Sequence, residues 1–208
     1  MANFTSNTYT LKRKILTFSN KISKQLSKPD RKFTADITYG MLASQSCLLT
    51  DVVDQLHEDS KKINIVDRLS RHLDKGTPAK AAVSYLQMLK KWIPSEPVIH
   101  IDDSDVVKPD GYKFESLGIV RDGSESTSSK NVYKKGYHVT EACVLTGNNH
   151  PVSIFSRWKI EEYFRCKKQM FQFENFRVRK LCAINALNFY ITLCMAFLAM
   201  ISMESESN

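Results

Sequence analysis

The chain has 208 residues, enough for one or two domains at about 100–200 residues each. A composition of 42% hydrophobic and 25% charged residues excludes a disordered or low-complexity protein. The net charge of +8 lies in the first 95 residues, which hold 16 of the 30 Lys and Arg but 8 of the 22 Asp and Glu. This asymmetry predicts an acidic partner for the N-terminal half.

The cysteines and glycines exclude several classes of site. The five cysteines are odd in number, and none form a Cys-x2-Cys pair, which disfavours a zinc ribbon or a disulfide framework. The seven glycines form neither a Gly-x-Gly-x-x-Gly motif nor a Walker loop. The first residues have no basic segment followed by an apolar one, so we expect no signal peptide and a cytoplasmic protein.

Residues 1–95 are predicted to be mostly helical, because their apolar residues recur at intervals of three and four. The helices predicted from this spacing cover residues 37–56, 63–73 and 79–92. Gly76 is expected to end the second, and the third should stop before Pro94, since the residue before proline disfavours helix. Residues 95–97 are then a plausible domain boundary.

Residues 96–155 are predicted to form strands. The β-branched run 98–101 suits a strand buried on both faces, and residues 111–135 resemble a long polar loop. Residues 136–145 and 152–155 flank the Gly147-Asn148-Asn149 turn, which predicts an antiparallel hairpin.

Two further helices are predicted at 157–179 and 181–203. The second has no charged residue in 23 positions, so it is either a buried helix or a membrane anchor, since 18 or more uncharged apolar residues can span a bilayer. Asn185, Asn188 and Thr192 weaken the membrane interpretation.

The first candidate for chemistry is the acidic cluster Asp102-Asp103-Ser104-Asp105, at the expected carboxyl end of the 98–101 strand. Carboxylates there could hold Mg²⁺, which prefers oxygen ligands. The alternative is a solvated turn. Period-2 alternation puts His100 and Asp102 on one face and Ile101 and Asp103 on the other.

The second candidate is a charged stripe on the predicted helix 157–179. At 100° per residue, with Arg157 at 0°, Glu161 falls near 40°, Arg165 near 80° and Lys168 near 20°. One carboxylate among basic groups suits a metal-bound phosphate. The alternative is a pair of i,i+4 salt bridges, Arg157–Glu161 and Glu161–Arg165, worth about 0.2–0.5 kcal/mol each.

Both candidates together resemble the DDE transposases of bacterial insertion sequences, in the branch with a Tyr-x2-Arg-x3-Glu-x6-Lys signature. Arg157, Glu161 and Lys168 match its Arg, Glu and Lys at the right spacings. Residues 101–109 resemble the first catalytic strand of the family, and its next two blocks resemble 120–124 and 135–138. The resemblance covers roughly residues 30–200.

The resemblance implies a ribonuclease-H-like core, Mg²⁺-dependent DNA strand transfer and a helical DNA-binding N-terminal region. Asp102 and Glu161 would be the catalytic metal ligands, with Asp103 as the fallback for the first Asp. Asp102 is preferred because it closes the apolar run and best fits the Asp-x-Ser-Asp pattern. Arg157, Arg165 and Lys168 would contact DNA, with Lys168 near the transposon end.

The chain departs from the family at the second of its three acids. No acid lies between Glu141 and Glu161, and Ile154 stands at the Tyr position of the signature. Asp122 is a poor substitute because it falls in the predicted loop. The simplest interpretation is an internal deletion near Ser156-Arg157, together with a C-terminal truncation.

We therefore expect a mixed α+β fold with a helical DNA-binding region at 1–95, an incomplete ribonuclease-H-like domain at 96–203 and a tail at 204–208. The expected function is that of an inactive transposase remnant in the bacterial cytoplasm. It would bind transposon-end DNA and associate with copies of itself or with an intact transposase. The alternatives are a DNA-binding module that competes with an intact transposase, and a basic protein anchored in a membrane by 181–203.

Overall fold

A computed structural model describes residues 2–147, 149–157 and 167–206, and the side chains of 9–147, 149–154 and 167–205. The chain is 51% helical and 16% strand, and its strands form an antiparallel sheet. This confirms the prediction of a mixed helix and sheet fold.

Six α-helices are described, five of them before the sheet. They are α1 (Ala2–Ser23), α2 (Lys28–Ser44), α3 (Leu49–Asp54), α4 (Lys62–Leu73), α5 (Ala79–Leu89) and α6 (Leu181–Glu206). A short helical segment also covers 167–171, and a 3₁₀ turn follows at Phe173–Asn175. The first 95 residues are mostly helical, as predicted.

Local sequence signals explain where the N-terminal helices begin and end. Ser27 caps α2 by accepting a hydrogen bond from the backbone N–H of Asp30, and Pro29 lies in the first turn. Gln45 follows α2 in the left-handed conformation, so the single helix predicted over 37–56 is wrong and is divided into α2 and α3. Gly76, at φ +79°, lies in the turn after α4.

The sheet contains β1 (Ile99–Val107), β2 (Gly118–Arg121), β3 (Tyr133–Leu145) and β4 (Pro151–Arg157). β3 is the central strand. β1 pairs along one side of it, while β2 and β4 pair with the beginning and the end of β3 on the other side. The predicted hairpin of 136–145 and 152–155 is confirmed as β3 and β4.

Two predictions about the sheet are wrong. Residues 98–101 are not buried on both faces, since Ile99 and Ile101 are 53% and 67% exposed. Their apolar run predicted burial, but α5 and α6 pack against β4 and not against this part of β1, so these side chains remain in solvent. The loop predicted over 111–135 also contains β2, which the polar composition around it concealed.

The helix predicted over 157–179 is also wrong at both ends. Arg157 is the last residue of β4, so it does not begin a helix. At the other end, the helical segment stops at Phe171, and Gln172 adopts a left-handed conformation at φ 50°. A left-handed residue breaks the helical hydrogen-bond ladder, which is why the 3.6-residue pattern does not continue as one helix.

Helix α6 lies at the centre of the molecule. It packs against α2 and α4 on one side and β4 on the other, and Leu187, Ile191 and Phe197 are at most 1% exposed. The N-terminal helices thus cover much of the apolar surface of α6. By length and composition α6 could cross a membrane, but 56% of its most apolar window is buried inside the protein.

The N-terminal helices and the sheet share one hydrophobic core. A single cluster of buried side chains includes Ile37 and Leu69 from the helices, Val106 and Val139 from the sheet, and much of α6. The Tyr85 hydroxyl of α5 also donates to the carbonyl of Ser153 in β4, at 2.7 Å. The regions 1–95 and 96–203 are thus packed together through α6.

Candidate functional site

The sequence pattern predicted the acidic cluster at the carboxyl end of a strand over 98–101. In the structure the cluster lies inside β1, which continues to Val107. Its pairing with β3 sets which face each carboxylate occupies. Asp102 is opposite Glu141, and Asp103 is opposite Thr140. Side chains of directly paired antiparallel residues share a face, so Asp102 and Glu141 lie on the face toward α6, and Asp103 on the other. The predicted separation of Asp102 from Asp103 is confirmed.

The solvent face of this strand pair holds two carboxylates around one imidazole. His138 Nε2 lies 3.2 Å from Asp103 Oδ1, and His138 Nδ1 lies 2.9 Å from Asp105 Oδ1. Thr140 donates to Asp103 at 3.3 Å. The His138 side chain is 60% exposed, so water screens these pairs and each contributes little to stability.

The inner face holds a fully buried ion pair between Glu141 and Lys167. Lys167 Nζ lies 3.1 and 3.0 Å from the two carboxylate oxygens of Glu141. The same ammonium donates to Asn188 Oδ1 and Thr192 Oγ1 of α6, both at 2.8 Å. Both charged side chains are completely buried. Burial lowers the pKa of Lys167, and the neighbouring Glu141 carboxylate opposes that shift.

The Glu141–Lys167 pair changes what the inner face can do. Glu141 is the carboxylate directly across from Asp102, so it would be the natural second oxygen ligand for a cation there. Its two oxygens instead bind an ammonium that is surrounded by four side-chain oxygens. Glu141 is therefore held by Lys167, and the Mg²⁺ site expected from Asp102 and Glu161 stays a prediction, because Glu161 lies outside the described residues.

The structure places one residue of the predicted charged stripe beside the acidic strand. Lys168 Nζ donates to the backbone carbonyl of Asp105 at 3.2 Å and lies 2.8 Å from Glu174 Oε1. For Arg157 only the backbone is described, at the end of β4. Glu161 and Arg165 lie outside the described residues, so the role of Glu161 as a metal ligand with Asp102 and the contact of Arg165 with DNA stay predictions.

Lys108, just after β1, holds the chain that follows the 167–171 segment. It donates to the carbonyls of Glu174 and Phe176, the latter at 3.0 Å, and its Nζ lies 3.9 Å from the centre of the Phe176 ring. Burial lowers the pKa of Lys108 to about 8. Lys168 donates to β1 and Lys108 donates to residues 174 and 176, so these two lysines attach residues 168–176 to β1.

Asp122 is held by hydrogen bonds and an ion pair within the protein. Its carboxylate is buried directly after β2, accepts from Ser124 and lies 2.8 Å from Lys134 Nζ. The bond from Lys134 holds the pKa of Asp122 well below its usual range. This fits the expectation that Asp122 does not replace the missing second Asp.

Sequence reasoning missed the Glu141–Lys167 pair, although three residues signalled it. Glu141 alternates with Val139 and Cys143 on the apolar face of β3, which indicates a buried carboxylate that needs a partner. Asn188 and Thr192 are four residues apart in an otherwise apolar helix, so they form one polar patch on α6. Which cation joins them could not be read from spacing, because Lys167 is distant in sequence.

Comparison with known proteins leaves the family open. Neither protein-family models, nor curated proteins, nor solved structures give a match to the chain. Among the described residues, no group of three or more His, Cys, Asp or Glu is arranged to hold a metal ion.

Proposed function

We propose that the chain is a DNA-binding remnant of a DDE transposase that does not carry out strand transfer. The observation that carries DNA binding is the charge of α1 and the turn after it. Residues 1–29 contain six Lys and Arg and no acid. All six side chains are exposed, namely Lys12, Arg13, Lys14, Lys21, Lys24 and Lys28. A helix with exposed cations and no acids of its own suits a phosphate backbone.

Other lysines of this region are less available to DNA. Lys32 lies 2.7 Å from Asp36 and 2.6 Å from Glu58, and Arg68 contacts the same two carboxylates. Lys75 pairs with Asp30. The positive field of the N-terminal region therefore comes from α1 and its following turn more than from α2 and α4.

The loss of strand transfer is supported by the acids that remain. The family needs three, and none lies between Glu141 and Glu161 in sequence. Glu141 itself is bound by the Lys167 ammonium. The transposase origin rests on the resemblance of residues 101–109 and 157–168, and the mixed helix and sheet architecture is compatible with it.

DNA binding is tested by fluorescence anisotropy with a short duplex between 50 and 200 mM salt. We expect log affinity to fall linearly with log salt, with a slope of about −0.9 for each phosphate contacted. The variant Lys12→Gln/Arg13→Gln/Lys24→Gln should flatten this slope. The matched control Lys61→Gln/Lys62→Gln/Lys80→Gln removes the same charge at positions outside α1. It should keep the salt slope of the unmodified chain. Absence of binding at 50 mM salt would remove the proposal.

Strand transfer is tested separately with purified chain, Mg²⁺ and DNA that carries transposon ends. We expect neither cleavage nor joining. Mg²⁺-dependent products that disappear in Glu161→Gln would show that the chain is active, and would contradict this half of the proposal.

A further inference from the structure

A cleft of about 1090 Å³ lies between α1, the end of α5, the β3–β4 turn and the end of α6. Its lining from α1 is Arg13, Lys14, Thr17, Phe18 and Lys21, residues spaced by three and four on one helix face. The acidic strand β1 contributes nothing to this lining, so the cleft is separate from the site described above.

The charge of the cleft is strongly positive. Arg13, Lys14, Lys21 and Lys91 line it, and Glu204 of α6 is the acid in the lining, which leaves a net charge of +3. Glu204 Oε2 lies 2.7 Å from Lys14 Nζ, and both side chains are about half exposed. One of the four cations is thus held by a carboxylate of the protein itself.

The cleft also has an apolar and aromatic part. Trp92 is partly exposed, and Met88, Met200 and Met203 line the same cleft. Trp92 is held in place through its backbone, because its carbonyl accepts from the N–H of Gly147 in the β3–β4 turn at 3.3 Å. An aromatic ring beside several cations offers both a stacking surface and phosphate contacts.

We propose that this cleft binds single-stranded DNA, and that Glu204 competes with a DNA phosphate for Lys14. The inference rests on the proposed DNA-binding function and names the form of DNA that the cleft takes. A duplex keeps its bases stacked inside a convex surface, so its phosphates could reach the rim but its bases could not reach Trp92. A single strand can turn its bases onto the ring while its phosphates meet the cations.

The first test measures, by fluorescence anisotropy at 50 mM salt, the affinity of the protein for a labelled thymidine oligonucleotide and for a duplex of equal length. Lys21→Gln/Lys91→Gln should weaken binding of the single strand by roughly tenfold. The control Lys61→Gln/Lys80→Gln, equal in charge and outside the cleft, should weaken it by less than about twofold. Glu204→Gln should strengthen it, which a general loss of folding could not do.

The second test uses the tryptophan itself. The chain has two tryptophans, so Trp158→Phe leaves Trp92 as the fluorescent one. The single strand should quench its emission at saturation, and Trp92→Leu should lower the affinity for the single strand by about tenfold while leaving duplex affinity unchanged.

The outcomes separate the two proposals. If neither DNA binds at 50 mM salt, the proposed function fails and the cleft inference with it. If the duplex binds while the cleft variants match the control, the cleft inference alone is wrong. An RNA oligonucleotide that binds much more tightly than the DNA strand would also overturn it, since the ligand would then be RNA.

Discussion

At the residue scale, the pair of Glu141 and Lys167 is completely buried among the described residues. Removing two charges from water is costly, and their attraction compensates only when the remaining hydrogen bonds are made. Asn188 and Thr192 supply those bonds from α6. The pair therefore specifies how α6 is placed against β3 more than it adds net stability.

A double-mutant cycle tests this pair. Lys167→Met leaves the Glu141 carboxylate buried without its cation and should destabilise the fold by about 3–5 kcal/mol. Glu141→Leu leaves the Lys167 ammonium buried without its carboxylate and should destabilise the fold by a similar amount. The double variant should recover most of the loss, because no unpaired charge remains. Urea unfolding gives the four free energies, and simple additivity of the two single losses would contradict the assignment.

At the element scale, the connection between β2 and β3 is held by Asp122. Its carboxylate accepts from the backbone N–H groups of Ser124 and Glu125 and pairs with Lys134 at the start of β3. These bonds favour the ionised carboxylate and lower its pKa in the folded state. A short strand that packs little apolar surface depends on such a closure.

The interactions of Asp122 predict that the stability of the fold depends on pH. Because folding lowers the pKa of Asp122, its contribution is complete above the unfolded value of about 3.9 and is lost as the pH falls below it. Asp122→Asn should therefore lower the melting temperature at pH 7, and the difference from the wild-type chain should shrink toward pH 3. Asp59→Asn, an exposed control, should show no such trend. A difference that is constant with pH would contradict the prediction.

At the scale of the whole molecule, α6 serves as the common core of the helices and the sheet. Ile37, Leu69 and Val139 belong to the same buried cluster as α6. Neither region can bury its apolar face without this helix, so the described chain should unfold as one unit.

A fragment of residues 1–95 tests this dependence. Its α2 and α4 would expose the surface that α6 covers in the whole chain, so we expect a broad thermal transition and strong binding of a hydrophobic dye. The whole chain should show one sharp transition. A fragment that melts sharply without binding the dye would show that the helical region folds alone.

Sequence patterns predicted those elements whose signals are local. The helices at 62–73 and 79–89 and the β3–β4 hairpin follow from apolar spacing, Gly76, Pro94 and the Gly147 turn. The prediction failed where distant parts of the chain decide the outcome. The apolar run at 98–101 did not reveal that the helices pack against β4 and not against the start of β1, and the spacing of 157–179 did not reveal the left-handed Gln172.

The candidate site was predicted in its composition but not in its geometry. The acids of β1 and the separation of Asp102 from Asp103 follow from alternation along a strand. The partners of these acids come from other elements, as with His138 beside Asp103 and Asp105. Lys167 could be joined to Glu141 only once α6 and β3 were in place, since 26 residues separate the two.

The contact between α1 and α6 has a consequence for synthesis in the cell. Phe18 packs edge-on against Phe197 at 5.5 Å, and Lys14 meets Glu204 across 190 residues of sequence. At about 5–20 residues per second, a ribosome needs roughly 10 to 40 s to synthesise the chain from Lys14 to Glu204. During that interval α1 can pack against α2 and α5, but Phe18 lacks its aromatic partner Phe197. Native packing of α1 is therefore completed only after α6 has been synthesised, and until then the positive charge of α1 opposes its association with other nascent chains of the same kind.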